Sequence, residues 1–66
     1  MKYVIETLVG YVGNGSNRLD AKLADAKIWH NKPSVLQSEM NLSRCGLSGW
    51  AMTLKEATEK AAREAA

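Results

Sequence analysis

The chain opens on a dense run of β-branched and aromatic residues, with Tyr3, Val4, Ile5, Thr7, Val9, Tyr11 and Val12 all inside positions 3–12. Side chains branched at Cβ lose rotamer freedom in a helix and pack well on a pleated surface, so this stretch predicts strand. Alternation places Tyr3, Ile5 and Thr7 on one face and Val4, Glu6 and Leu8 on the other. Gly10 is the natural break, giving a hairpin of residues 3–7 and 10–13; a single bent strand with Gly10 at a bulge is the alternative. Gly13-Asn14-Gly15-Ser16-Asn17 predicts a loop, because Gly and Asn tolerate positive φ. Leu19, Leu23 and Ala26 recur at helix-like spacing, interleaved with Asp20 and Asp25. Ala26-Lys27-Ile28-Trp29-His30 alternates once more and predicts a short strand. Lys27 and Trp29 share its polar side, which marks Trp29 as the exposed or half-exposed aromatic.

The second half of the chain changes period. Asn31 and Pro33 end the strand and start a helix of about 33–42, with Asn31 or Ser34 as its cap and Val35, Leu36 and Met40 as its apolar face. Ser43 to Gly49 predicts a turn, and Gly49-Trp50-Ala51-Met52 either a last strand or the lead-in to a second helix. Thr53-Leu54-Lys55-Glu56 matches a capping box, in which the threonine side chain and the glutamate three residues on satisfy each other's backbone N–H. Beyond it Leu54, Ala57, Ala61, Ala62 and Ala65 form one narrow stripe. Glu56–Lys60, Glu59–Arg63 and Lys60–Glu64 are spaced to pair along the outer faces, each for about 0.2–0.5 kcal/mol. The order of elements predicts an α+β fold: a small antiparallel sheet, built of the hairpin and one or two further strands, packed on two helices. Its expected core is Tyr3, Ile5, Val12, Ile28, Leu36, Met40 and Trp50. The Ala-rich stripe adds little apolar area.

Composition narrows what such a fold can be. The 66 residues, 45% hydrophobic and 24% charged, make one small domain over 1–66 with a thin core. One Cys and one His allow neither an internal disulfide nor a zinc site built from those two residue types, and no motif calls for a cofactor. A partner or self-association is therefore the expected supplement to the core. The net charge of +2 is spread without runs of like sign, so a nucleic-acid partner is not prompted by charge. No stretch approaches the roughly 20 apolar residues of a membrane span. Glu6 and Thr7 interrupt the opening apolar run, so it reads as a strand and not as a secretion signal. Unpaired Cys45 fits a reducing cytoplasm.

Candidate chemistry is sparse. Gly13-Asn14-Gly15 lacks both the Gly-Lys-Ser/Thr ending of a phosphate loop and the third glycine of a dinucleotide fingerprint, and reads as a turn. His30, with Asp25 or Glu39 as a conceivable orienting partner, and Cys45 beside Arg44 do not make a nucleophile constellation, so the expectation is a protein without catalysis. Trp and Tyr with nearby Arg are the usual anchors of protein interfaces. That singles out Trp29, Tyr11, Arg18, Lys27 and Arg44 as candidate partner-binding residues.

The succession Lys2-Tyr3-Val4-Ile5-Glu6, Gly10-Tyr11-Val12 and Ala24-Asp25-Ala26-Lys27-Ile28-Trp29, followed by a helix led by Lys32, Pro33 and Ser34, resembles the layout of short bacteriophage-encoded proteins. The resemblance covers about residues 2–42 and reaches weakly to Gly49-Trp50. Pro33 and Val35 depart from the alanine- and lysine-rich helix start of that layout, and the Ala-rich C-terminal helix is longer. The resemblance implies a stoichiometric binder of a host protein, of the small anti-CRISPR and anti-defence inhibitor type, and carries no residue roles. Three readings follow. The first is a cytoplasmic binding protein that covers a surface of a larger host protein or complex. The second is a nucleic-acid-binding protein using sheet aromatics for stacking and scattered Lys and Arg for phosphates. The third is an assembly protein that forms a homodimer through its Ala-rich helix.

Overall fold

The computed structural model describes residues 1–14 and 18–65, so the Gly15–Asn17 part of the expected loop lies outside the described residues. The elements are β1 (Tyr3–Thr7), a single 3-10 turn (Leu23–Asp25), α1 (Lys32–Arg44), β2 (Gly49–Thr53) and α2 (Leu54–Ala65). β1 and β2 pair antiparallel, with Tyr3 opposite Thr53, Ile5 opposite Ala51 and Thr7 opposite Gly49. The fold is α+β.

β1 is bonded along both edges. Away from β2, Tyr3 N–H donates to the Trp29 carbonyl at 2.8 Å and the Tyr3 carbonyl accepts from Trp29 N–H at 2.9 Å. On the same edge Val12 N–H donates to the Ile5 carbonyl at 3.0 Å, and Thr7 N–H to the Gly10 carbonyl at 2.7 Å. The chain thus reverses at Gly10 as the hairpin requires, with φ at +154°. A Cβ there would lie 2.9 Å from the Ala21 carbonyl oxygen, so the turn demands glycine. The expected second strand over 10–13 does not form, however. Tyr11 exchanges both backbone bonds with Ala21, and Val12 gives its N–H to Ile5 while its carbonyl accepts from Lys27 at 2.8 Å. A strand keeps one neighbour per edge, whereas this segment divides its groups among several and leaves isolated bridges. The expected strand over 26–30 fails for the same reason: Ala26 bridges to Gly13, Lys27 bonds Val12 and Trp29 bonds Tyr3.

Alternation along β1 decides the layering. Val4 faces Ala57 of α2 and Ala26, joined by Tyr11, Leu23, Ile28, Met52 and Leu54. Ile5 faces Val35 of α1 and Trp29, joined by Tyr3, Val12, Leu42 and Ala51. One helix therefore covers each face of the sheet. On the α1 side, a Cβ at Gly49 would come within 2.8 Å of Leu42 Cδ1, so the missing side chain lets the helix lie directly on β2. On the α2 side the close approach falls at Ala57, which is fully buried. The Ala stripe is thus used at its start inside the molecule.

The helix ends follow their sequence signals. Asn31 Oδ1 accepts from Ser34 N–H at 2.9 Å, which makes Asn31 the cap and Ser34 its donor; Pro33 sits in the first turn. The helix runs on to Arg44, two residues beyond the expected end. At α2 the capping box forms, with Glu56 N–H donating to Thr53 Oγ1 at 3.1 Å and Thr53 N–H to Glu56 Oε1 at 3.5 Å. Residues 49–53 are a strand that runs without a loop into this helix. Glu56 is engaged in the box and does not pair with Lys60. Lys60 instead reaches across to Glu6 of β1 at 2.5 Å, with Glu64 at 3.8 Å, and no Glu59–Arg63 pair forms. The hydrogen bond to Glu6 raises the Lys60 pKa above its ordinary value. Burial, with Glu6 nearby, raises that of Tyr11.

The core differs from the expected list. Ile5 is fully buried, and Tyr3, Val12 and Ile28 pack half-buried against it or its neighbours. Leu36, Met40 and Trp50 are instead 42%, 50% and 48% exposed. Val35 and Leu42, seven residues apart, share the inward face of α1, while Leu36 and Met40 point about 100–140° away at 100° per residue. Ile5→Ala is expected to cost about 2–5 kcal/mol of unfolding free energy, as for large-to-small changes in a packed core. Leu36→Ala is expected to cost less than about 1 kcal/mol, in keeping with its surface setting. Urea unfolding of the two variants measures the difference.

Candidate interaction surfaces

Two concave surfaces flank the C-terminal half of α1. Ser38, Asn41, Leu42 and Cys45 line a cleft whose floor includes Ile5, Val12 and Trp29 and whose rim carries Arg18 and Lys27. Leu36, Glu39, Met40 and Ser43 line a groove whose other wall is Ser48, Gly49 and Trp50 of the β2 strand and its approach. Leu47 borders both. The periodicity of α1 produces this arrangement: residues 38, 41 and 45 fall on one flank of the buried Val35–Leu42 line, and 36, 40 and 43 on the other.

The structure therefore brings together three of the five candidate partner-binding residues and separates the others. Arg18, Lys27 and Trp29 share the cleft. Arg44 ends α1 with a guanidinium nitrogen 3.7 Å from Met40 Sδ, next to the groove. Tyr11 lies on the α2 side, packed around Val4 and Ala57. The expected exposure of Trp29 is overturned, since the residue is only 8% exposed. Lys27 does not mark a solvent face; its ammonium lies 5.2 Å from the Trp29 ring centroid and helps to cover it. Residues 26–30 are not a strand, so alternation does not set which way Lys27 and Trp29 face. Arg18 pairs with Asp20 at 3.5 Å between two exposed side chains, which adds little stability.

The more conspicuous surface is the groove. Leu36, Met40, Leu47 and Trp50 are all 42–50% exposed and line this one depression. Large apolar residues gathered on a surface, rather than scattered singly, mark contact sites. Sequence reasoning assigned three of them to the core. The signal that separates them is the double stripe on α1, with Val35 and Leu42 on one line and Leu36 and Met40 on another.

The groove also runs beside an open sheet edge, because among the described residues β2 pairs only with β1. Tyr3, Ile5 and Thr7 direct their backbone groups away from β2, so Val4 and Glu6 bond to Met52 and Trp50. Gly49, Ala51 and Thr53 then face outward. Ala51 N–H donates to Glu39 Oε2 at 2.6 Å, and Thr53 N–H is taken by Glu56. Two carboxylates thus take two of the three outward donors of an edge that would otherwise pair with another strand and, among the described residues, leave the Gly49 N–H open.

Other chemistry has less support. His30 is exposed and forms no hydrogen bond through its side chain among the described residues. Cys45 is an exposed free thiol. No cluster of three or more His, Cys, Asp or Glu able to hold a metal occurs among the described residues. No helix among them is long and apolar enough to cross a membrane. The stacking platform that a nucleic-acid reading would use is not open, since helices cover both sheet faces and Trp29 is buried. No protein-family model, curated protein or solved structure matches the chain.

The two tryptophans report on these assignments. With Trp50→Phe, the remaining Trp29 emission is expected at short wavelength and shielded from acrylamide. With Trp29→Phe, the remaining Trp50 should emit at longer wavelength with a several-fold steeper quenching slope.

Proposed function

We propose that this protein is a small non-enzymatic binding module that docks onto a larger protein through the α1–β2 groove. One observation carries the reading: Leu36, Met40, Leu47 and Trp50 stand exposed together in a single groove. Burying such residues against a partner returns about 25 cal/mol per Å² of apolar surface, and a Trp at the centre of a contact is a common energetic anchor. Such binding works by covering a surface of about 800 Å² per partner and needs no active site. The resemblance of residues 2–42 to the layout of short phage-encoded proteins implies an inhibitor of a host protein or defence complex as the form this binding takes. Its place of action is then the host cytoplasm.

Self-association through the Ala-rich helix has less support, because Ala57 is buried in the protein's own core. The binding reading is tested by affinity capture from host lysate, read by mass spectrometry. The wild-type chain and Lys27→Ala are expected to retain one stoichiometric protein that a Met40→Ser/Trp50→Ala double variant, with unchanged circular dichroism, loses. Equal capture by the double variant, or no stoichiometric protein at all, would contradict it.

A further inference from the structure

We infer that the α1–β2 groove is built to take an arginine side chain of the partner, flanked by apolar residues, with Glu39 as its counter-charge. This inference rests on the binding reading above and specifies the chemistry of the occupant. Glu39 is the only charged residue lining the groove, set among Leu36, Met40, Leu47 and Trp50. One of its oxygens, Oε2, holds Ala51 N–H. The other makes no hydrogen bond among the described residues, and no described side-chain polar atom is both buried and unpartnered, so that oxygen meets solvent. The hydrogen bond to Ala51 fixes the carboxylate in place, so little side-chain freedom remains to be lost when a cation binds.

The strand edge adds to the same character. The Ala51 carbonyl faces the outer edge with its N–H, and no described group donates to it. At Ala51 and Thr53 the outward donors are already engaged, by Glu39 and Glu56. The free Glu39 oxygen is thus the one charged acceptor of the groove, beside neutral groups that can donate as well as accept, the hydroxyls of Ser43 and Ser48 and the indole N–H of Trp50. A guanidinium brings five N–H donors in a planar fork and no acceptor, and its weak hydration suits an apolar setting. A partner carboxylate would face repulsion from Glu39, and a purely apolar segment would leave Glu39 buried without a counter-charge, which is costly. Pairing with a bare strand is opposed at Ala51 and Thr53, where carboxylates already hold the N–H groups.

The test uses three probes, the capped tripeptides Leu-Arg-Leu, Leu-citrulline-Leu and Leu-Glu-Leu, titrated into the ¹⁵N-labelled full chain. Citrulline keeps the shape of arginine and removes its charge. The expected result is saturable movement of the Ala51 amide and the Trp50 indole N–H with the arginine peptide. Binding should be at least about threefold weaker for citrulline, as befits a charge-assisted hydrogen bond at a partly exposed site, and weaker still for glutamate. In Glu39→Gln, whose amide oxygen can still accept from Ala51, the preference for arginine over citrulline should vanish. Equal response to arginine and citrulline, an unchanged preference in Glu39→Gln, or no saturable shift with any peptide would overturn the inference. A captured partner that is lost with Met40→Ser/Trp50→Ala but kept in full by Glu39→Gln would leave the binding reading standing and remove this one alone. Concentration-dependent shifts of the same signals without peptide would identify a second copy of the chain as the occupant and likewise overturn it.

Discussion

The structure depends on β1 being a strand with both edges occupied. A chain this small cannot build a large core, and a two-stranded ribbon alone is marginal in water. Here β2 satisfies one edge of β1, while Gly10, Val12 and Trp29 satisfy the other from irregular backbone. That double engagement lets β1 separate two small cores, Val4 with Ala57 on one side and Ile5 with Val35 and Trp29 on the other. The helices are then placed by what β1 presents. α2 approaches through an alanine and is tied down by Lys60 to Glu6; α1 approaches over Gly49.

The exposed groove follows from the same economy. α1 has one face to give to the sheet, and Val35 and Leu42 fill it. Leu36 and Met40 are too far around the helix to reach the interior, so they line the outside with Leu47 and Trp50. β2, committed to β1 on one edge, leaves its other edge beside that apolar wall. Glu39 and Glu56 occupy two of its outward donors, at Ala51 and Thr53, which discourages indiscriminate strand pairing while the apolar wall stays accessible. A surface of this kind favours contacts through side chains over strand pairing. That combination suits recognition of a particular partner.

Much of this was legible in the sequence, in particular places. The alternation in β1, the capping box at Thr53–Glu56, the Asn31 cap and the turn at Gly10 each arise from local chemistry, and each forms as read. What was not legible was set by distant partners. Residues 10–13 and 26–30 carry strand-like composition, yet their backbone groups are divided among several neighbours, which no local pattern records. The fate of Trp29 followed from that, since its alternation with Lys27 means something only in a regular strand. The groove was half legible: the two apolar lines on α1 are visible as spacing, but deciding which one faces inward requires the position of the sheet. Glu39 carried no local signal, because its partner Ala51 lies twelve residues away on another element.

Native-state hydrogen exchange measures the engagement of both β1 edges directly. If β1 is held on both edges, the amides of Tyr3, Thr7, Val12 and Trp29 should exchange only through global unfolding, and as slowly as those linking β1 to β2. If Val12 and Trp29 instead exchange with the speed of exposed loops while the β1–β2 amides stay protected, β1 is an edge strand in solution and this account of the fold is wrong.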